Sequence, residues 1–129
     1  MARHYPSMRL RRPDGTGRGT LRHVTATVAR VFPDSYNHDG AEHQHIWIDD
    51  LRPLDDGPGY AGDVFVAIRV TDGGIGREIP FRDDTEIELQ GLLIPADEAD
   101  SGPDDPGLPV LHFTHRPEGF VIYEGETYD

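Results

Sequence analysis

The 129-residue chain contains no cysteine, which excludes together a disulfide scaffold, a thiolate zinc site and a cysteine nucleophile. Any metal would have to be held by His, Asp or Glu side chains. Lysine is missing as well: all 12 basic side chains are arginine, most simply the codon bias of a GC-rich genome. No apolar run approaches the roughly 18 residues that a membrane span needs. The amino-terminus has no apolar stretch resembling a signal peptide. A cytoplasmic protein with no membrane partner is therefore the expectation. Serine-elbow, HExxH and Walker sequences are also absent, and TDGGIG at 71–76 has the wrong spacing, and no following helix, for a phosphate-cradling loop.

Charge is present but unevenly spread. The net value is −12, yet residues 1–33 hold seven arginines (Arg3, Arg9, Arg11, Arg12, Arg18, Arg22, Arg30) against the single acid Asp14. The remainder holds five arginines against 23 acids. An acidic body does not bind nucleic acid by neutralising phosphates. Only the arginine-rich arm would contact nucleic acid electrostatically, and it would serve equally well to touch a partner protein or the acidic body.

The apolar pattern is almost wholly that of β-strands. Residues 1–18 lack apolar periodicity and read as a flexible arm, and 19–129 as one domain. Gly19 to Phe32 is a long strand with Val24, Ala26 and Val28 on one face. Glu42 to Leu51 (EHQHIWIDDL) alternates, with Ile46 and Ile48 on one side and His43, His45, Trp47 and Asp49 on the other. Residues 63–70 (DVFVAIRV) place Val64, Val66, Ile68 and Val70 inward, with Phe65, Ala67 and Arg69 outward. In 84–94 (DTEIELQGLLI) Ile87 and Leu89 turn inward, and Gly91 marks a bulge or bend. A polar, proline-rich loop at 95–109 precedes strands at 110–115 and 120–124, and GETY closes a final hairpin in which Tyr128 packs. Asp55, Asp56, Asp104 and Asp105 lack calcium-loop spacing and read as solvated loop acids.

Five or six strands, a long first strand and little helix predict an all-β fold, a small Greek-key barrel like the oligonucleotide/oligosaccharide-binding (OB) fold, with a flexible amino-terminal arm. The motifs HQHIWI at 43–48, VLHFTHRP at 110–117 and GFVIYEGETY at 119–128 resemble an uncharacterised bacterial family, domain of unknown function 3465. His43 and Gln44, His112 to His115, Gly119 and Phe120, and Gly125 and Tyr128 match that family's pattern. Phe113 stands where tryptophan is expected, and the turn RPEG after His115 is short. The resemblance implies an OB-like barrel and carries no activity.

The histidines hold what chemistry the sequence offers, because imidazoles bind metals, move protons and stack on rings. HxH on a strand puts His43 and His45 on one face, whereas His112 and His115 would meet only through a break at Thr114 or Pro117. Joined at the strand ends, His43, His45 and His115 with Asp49 or Glu118 would hold zinc or manganese. Equally, the imidazoles would merely hydrogen-bond to backbone or sit solvated on a strand. Three readings follow. The first is a binding or accessory module whose face of His43, His45, Trp47, Phe65, Arg69, His112 and His115 takes single-stranded nucleic acid or a small molecule. The second is a phosphodiesterase or nuclease using His43, His45, His112 and His115, with or without a metal. The third is a protein-interaction subunit whose arm orders on binding.

Overall fold

The computed structural model describes residues 9–11, 18–36, 40–60, 62–96 and 107–129, and these contain nine β-strands and no helix. In chain order they are β1 (Arg9–Arg11), β2 (Arg18–Val31), β3 (Ser35–Tyr36), β4 (Glu42–Pro53), β5 (Val64–Arg69), β6 (Thr85–Ile94), β7 (Val110–His112), β8 (Phe120–Tyr123) and β9 (Glu126–Tyr128). The strand β1 lies within what reads from sequence as an unstructured arm. Its backbone pairs antiparallel with the start of β2, Arg9 opposite Thr20 and Arg11 opposite Arg18. The rest of 1–17 lies outside the described residues.

Five strands close a barrel in the order β2-β4-β5-β7-β6, with β6 returning to β2. All its pairings are antiparallel except β5 with β7, the third and fifth barrel strands. This is an OB-fold-like order. Closure depends on β2, which pairs through Val24–Val31 with β4 on one edge and through Thr20–Val28 with β6 on the other. A strand that serves both edges must bend. The β2–β4 register slips between Thr25 and Thr27 and again between Val28 and Arg30, and such bulges bend and twist a strand.

Gly91 is not where the ladder breaks; it continues the β2–β6 register opposite Arg22. Its lack of a side chain serves close approach instead, since a Cβ there would lie 2.5 Å from the His112 carbonyl oxygen and 2.9 Å from Thr114 Cγ2. The backbone after β7 packs directly on β6. At the carboxy-terminal hairpin, Glu124 and Gly125 both take positive φ, 51° and 81°, the requirement of a two-residue type I′ turn. Tyr128 is buried, as its position in that hairpin predicts.

The barrel interior follows the period-2 pattern of the sequence. Val24, Ala26 and Val28 of β2, Ile46 and Ile48 of β4, Val64, Val66 and Ile68 of β5, and Ile87 and Leu89 of β6 form one buried cluster. Alternating burial removes one face of each strand from water, which is the main drive for closure.

Arg22 is an exception to this apolar pattern, occupying the inward position before Val24 with 1% of its surface exposed. A buried guanidinium is tolerated only when paired and hydrogen-bonded. Asp55 accepts from Arg22 Nε at 2.8 Å and from Nη2 at 3.1 Å, Pro58 O accepts a third bond at 2.8 Å, and the Tyr60 ring lies 4.5 Å from the guanidinium carbon. Asp55 also accepts from the backbone N–H groups of His23 and Gly57. It is therefore not a solvated loop acid. Burial alone would raise its carboxyl, but the Arg22 hydrogen bonds and then the His23 and Gly57 amides outweigh this and hold it below the ordinary carboxylate value. Loop 54–60 is thus fastened across one end of the barrel.

Candidate ligand face

Of the residues singled out from sequence, His43, His45, Trp47, Phe65, Arg69 and His112 share the outer surface of β4, β5 and β7, and His115 does not. His43 stands opposite Arg69, His45 opposite Ala67 and Trp47 opposite Phe65 across the β4–β5 pair. On the far side of β5, Phe65 is level with Val110 of β7. His112, two residues on, shares the face of Val110 and pairs with Leu92 of β6. One step along the parallel register from Val66 and Leu111, Ala67 is level with His112, so His45, Ala67 and His112 form a row across three strands.

Their exposure corrects the expected ligand surface. Phe65 is 0% exposed and His45 7%, so neither lies open to a ligand. The alternation assigns both to the outside of the barrel, but Phe32, which carries the β2–β4 pairing one residue beyond β2, packs on the same face. Phe32 N–H donates to His45 O at 3.0 Å, its ring lies 5.6 Å from Phe65, and the His45 ring lies 5.0 Å from Phe65 on its own side. The Arg30 guanidinium covers Phe32 at 4.7 Å. This is a second apolar cluster outside the barrel, and His45 is a packing residue within it.

Trp47 and His43 are only half-buried and form the accessible part of the face. Trp47 Nε1–H donates to Asp63 Oδ2 at 2.8 Å, which fixes the indole's orientation while leaving its ring partly open. Arg69 is half-buried too, but its Nε–H is shared between the carbonyls of Thr71 and Asp72, each at 3.1 Å. It ties down the turn after β5 with that group.

The second histidine segment is arranged differently from the sequence expectation. The strand ends at His112 because Phe113 adopts φ 56°, so the break falls at Phe113, not at Thr114 or Pro117. The rings of His112 and Phe113 lie 3.9 Å apart, and Phe113 separates His112 from His115, whose ring is 6.3 Å beyond. His115 is 9% exposed, and its Nδ1–H donates to the Arg116 carbonyl at 2.8 Å. The set His43, His45 and His115 with Asp49 or Glu118 does not assemble as a metal centre. Among the described residues the one group of three with ligand atoms within 4.8 Å of one another is Asp34, Glu42 and Glu78.

That acidic group escapes the sequence reading because its members come from three separate segments, the turn after β2, the first residue of β4 and the connection from β5 to β6. Its only local signal is Glu42 beside the HQH motif. The same strand end is pinned by Gln44, which donates to Ile79 O and accepts from Ile79 N–H, both at 2.8 Å. The Glu42 carboxyl is raised to about 7, first by the Glu78 carboxyl within hydrogen-bonding reach, then by burial and by Asp34. On the opposite side of the barrel, His23 contacts Glu88 at 2.7 Å and sets its ring edge-on to Phe120; neither pairing is legible in the sequence.

Comparison of the chain with family models, curated proteins and solved structures finds no match. Among the described residues no helix is long and apolar enough to cross a membrane.

Proposed function

We propose that the chain is a small cytoplasmic binding module whose outer β4–β5 surface stacks a planar ligand on Trp47 beside His43. The observation that carries this reading is the half-buried Trp47 indole, oriented by Asp63 and standing opposite the buried Phe65 across the β4–β5 pair. A ring already held in place loses little entropy on stacking. In OB-type barrels the second and third strands are a habitual ligand surface, and here those strands are β4 and β5. The net charge of −12 disfavours long polyanions. The ligand class is therefore a compact π-faced molecule, a nucleoside or single exposed base. Membership of the domain of unknown function 3465 family is part of the same proposal and adds no activity to it.

The histidine-dependent phosphodiesterase draws less support. Two of its four imidazoles are buried, His115 Nδ1 is spent on a backbone carbonyl, and Arg69, opposite His43, is engaged through Nε with its own loop. Acid–base catalysis needs accessible imidazoles and donors for the developing charge.

Trp47 is the only tryptophan, so its fluorescence reports this site alone. Titration with nucleosides, a short single-stranded oligonucleotide and an oligosaccharide should give saturable quenching by the nucleosides. Calorimetry on Trp47→Ala should show that binding lost. An unchanged spectrum throughout, or binding that survives Trp47→Ala, would overturn the proposal.

A further inference from the structure

Asp34, Glu42 and Glu78 converge at one end of the barrel, away from the Trp47 ring. Each contributes a carboxylate oxygen, and these atoms lie within 4.8 Å of one another. Acidic residues often cluster on a surface without consequence, but Glu42 is not a surface acid. It is 8% exposed, and its Oε2 is buried with no hydrogen-bond partner among the described residues. An ionised carboxylate is an acceptor only, and leaving it buried without a donor is costly. No described arginine forms an ion pair with any of the three acids; the described pairs of Arg22, Arg52, Arg77, Arg82 and Arg116 all go elsewhere.

The backbone around the cluster is held in place. Glu42 N–H donates to Thr71 Oγ1 at 2.9 Å and Glu42 O accepts from Val70 N–H at 2.8 Å. Glu78 adjoins Ile79, which Gln44 clamps from both sides. Three carboxyl groups are thus brought together, two of them on anchored backbone, and among the described residues no ion pair with a basic side chain offsets them.

We infer that Asp34, Glu42 and Glu78 bind one hard divalent cation of the calcium or manganese kind. An oxygen-only set suits such ions and not zinc or copper. Calcium–oxygen distances of about 2.3–2.6 Å allow ligand oxygens up to roughly 5 Å apart, which the cluster meets. The cation would supply the positive partner that the buried Oε2 of Glu42 lacks. It would also tie the turn after β2 and the β5–β6 connection to the start of β4, a restraint independent of any ligand at Trp47.

The test is titration of the chelator-treated full chain with MnCl2, following the paramagnetic resonance signal of free manganese, with CaCl2 as competitor. Wild type should remove one equivalent of manganese and return it on addition of calcium. Asp34→Asn and Glu78→Gln, both at exposed positions where folding is expected to survive, should each weaken binding at least tenfold, and Glu42→Gln should do the same. Glu86→Gln, on the solvated face of β6, should bind as wild type does. Absence of stoichiometric uptake overturns the inference. So does uptake that Asp34→Asn and Glu78→Gln leave unchanged, because it would then reflect only the acidic surface.

Discussion

Asp55→Asn is the substitution whose cost the structure defines best. It leaves the side chain's shape nearly intact but removes the charge that faces a guanidinium of which only 1% is exposed. Removing one member of a buried ion pair costs about 3–5 kcal/mol. Here the cost is reduced because the Pro58 carbonyl and the Tyr60 ring remain on Arg22, the new amide oxygen still accepts one bond, and the Asp55 side chain is 19% exposed. A loss of roughly 2–3 kcal/mol follows. At roughly 4 °C per kcal/mol for a domain of this size, the melting temperature should fall by about 10 °C. Urea unfolding at pH 7, with the slope unchanged, measures it. The double substitution Arg22→Met/Asp55→Ala should be less destabilised than Asp55→Asn, since an apolar replacement leaves no orphaned charge. A change below about 0.5 kcal/mol for Asp55→Asn, within the range of an ordinary surface substitution, would refute the view that this pair fastens loop 54–60 to the barrel.

Other outcomes follow from the same geometry. Acid should weaken the fold through Asp55: its folded carboxyl lies below the ordinary value, so its contribution is present above the unfolded pKa and is lost as pH falls through the folded one, which the difference between acid titrations of wild type and Asp55→Asn would reveal. Gly91→Ala should destabilise by about 1–3 kcal/mol, because the added methyl meets the His112 carbonyl at 2.5 Å; a neutral result in thermal unfolding would contradict the close approach of β6 and the turn after β7. Phe65→Ala should cost about 3–5 kcal/mol although Phe65 points away from the barrel interior, because it is fully buried. Chemical denaturation showing less than about 1 kcal/mol would mean that the second cluster is not packed as described.

How much of this was legible in the sequence depends on the kind of information involved. Period-2 alternation identified the interior residues of β2, β4, β5 and β6, because a pleated strand leaves only two choices of face. It also put His43, His45, Trp47, Phe65 and Arg69 on one outer surface, where they stand. What alternation cannot carry is coverage. Phe65 and His45 point outward and are buried, with Phe32 beside His45 at the end of the β2–β4 ladder and its ring against Phe65, a contact between residues distant in sequence. The burial of Arg22 leaves no local signal, because its partner Asp55 lies 33 residues away. The end of β7 at Phe113 reflects a left-handed backbone angle in a residue type that gives no local warning. The Asp34–Glu42–Glu78 group needs three segments brought together by the barrel, so no spacing announces it.

The central claim is that the accessible half of the β4–β5 outer face, around Trp47, receives the ligand. The most direct test is a two-dimensional amide and indole NMR spectrum recorded with and without a nucleoside. Shifts should centre on the single Trp47 indole N–H and on residues 43–47 and 65–69, and fade across the barrel. Shifts centred instead on His23, Glu88 and Phe120, on the β2–β6–β8 side, with the Trp47 indole unmoved, would contradict the account.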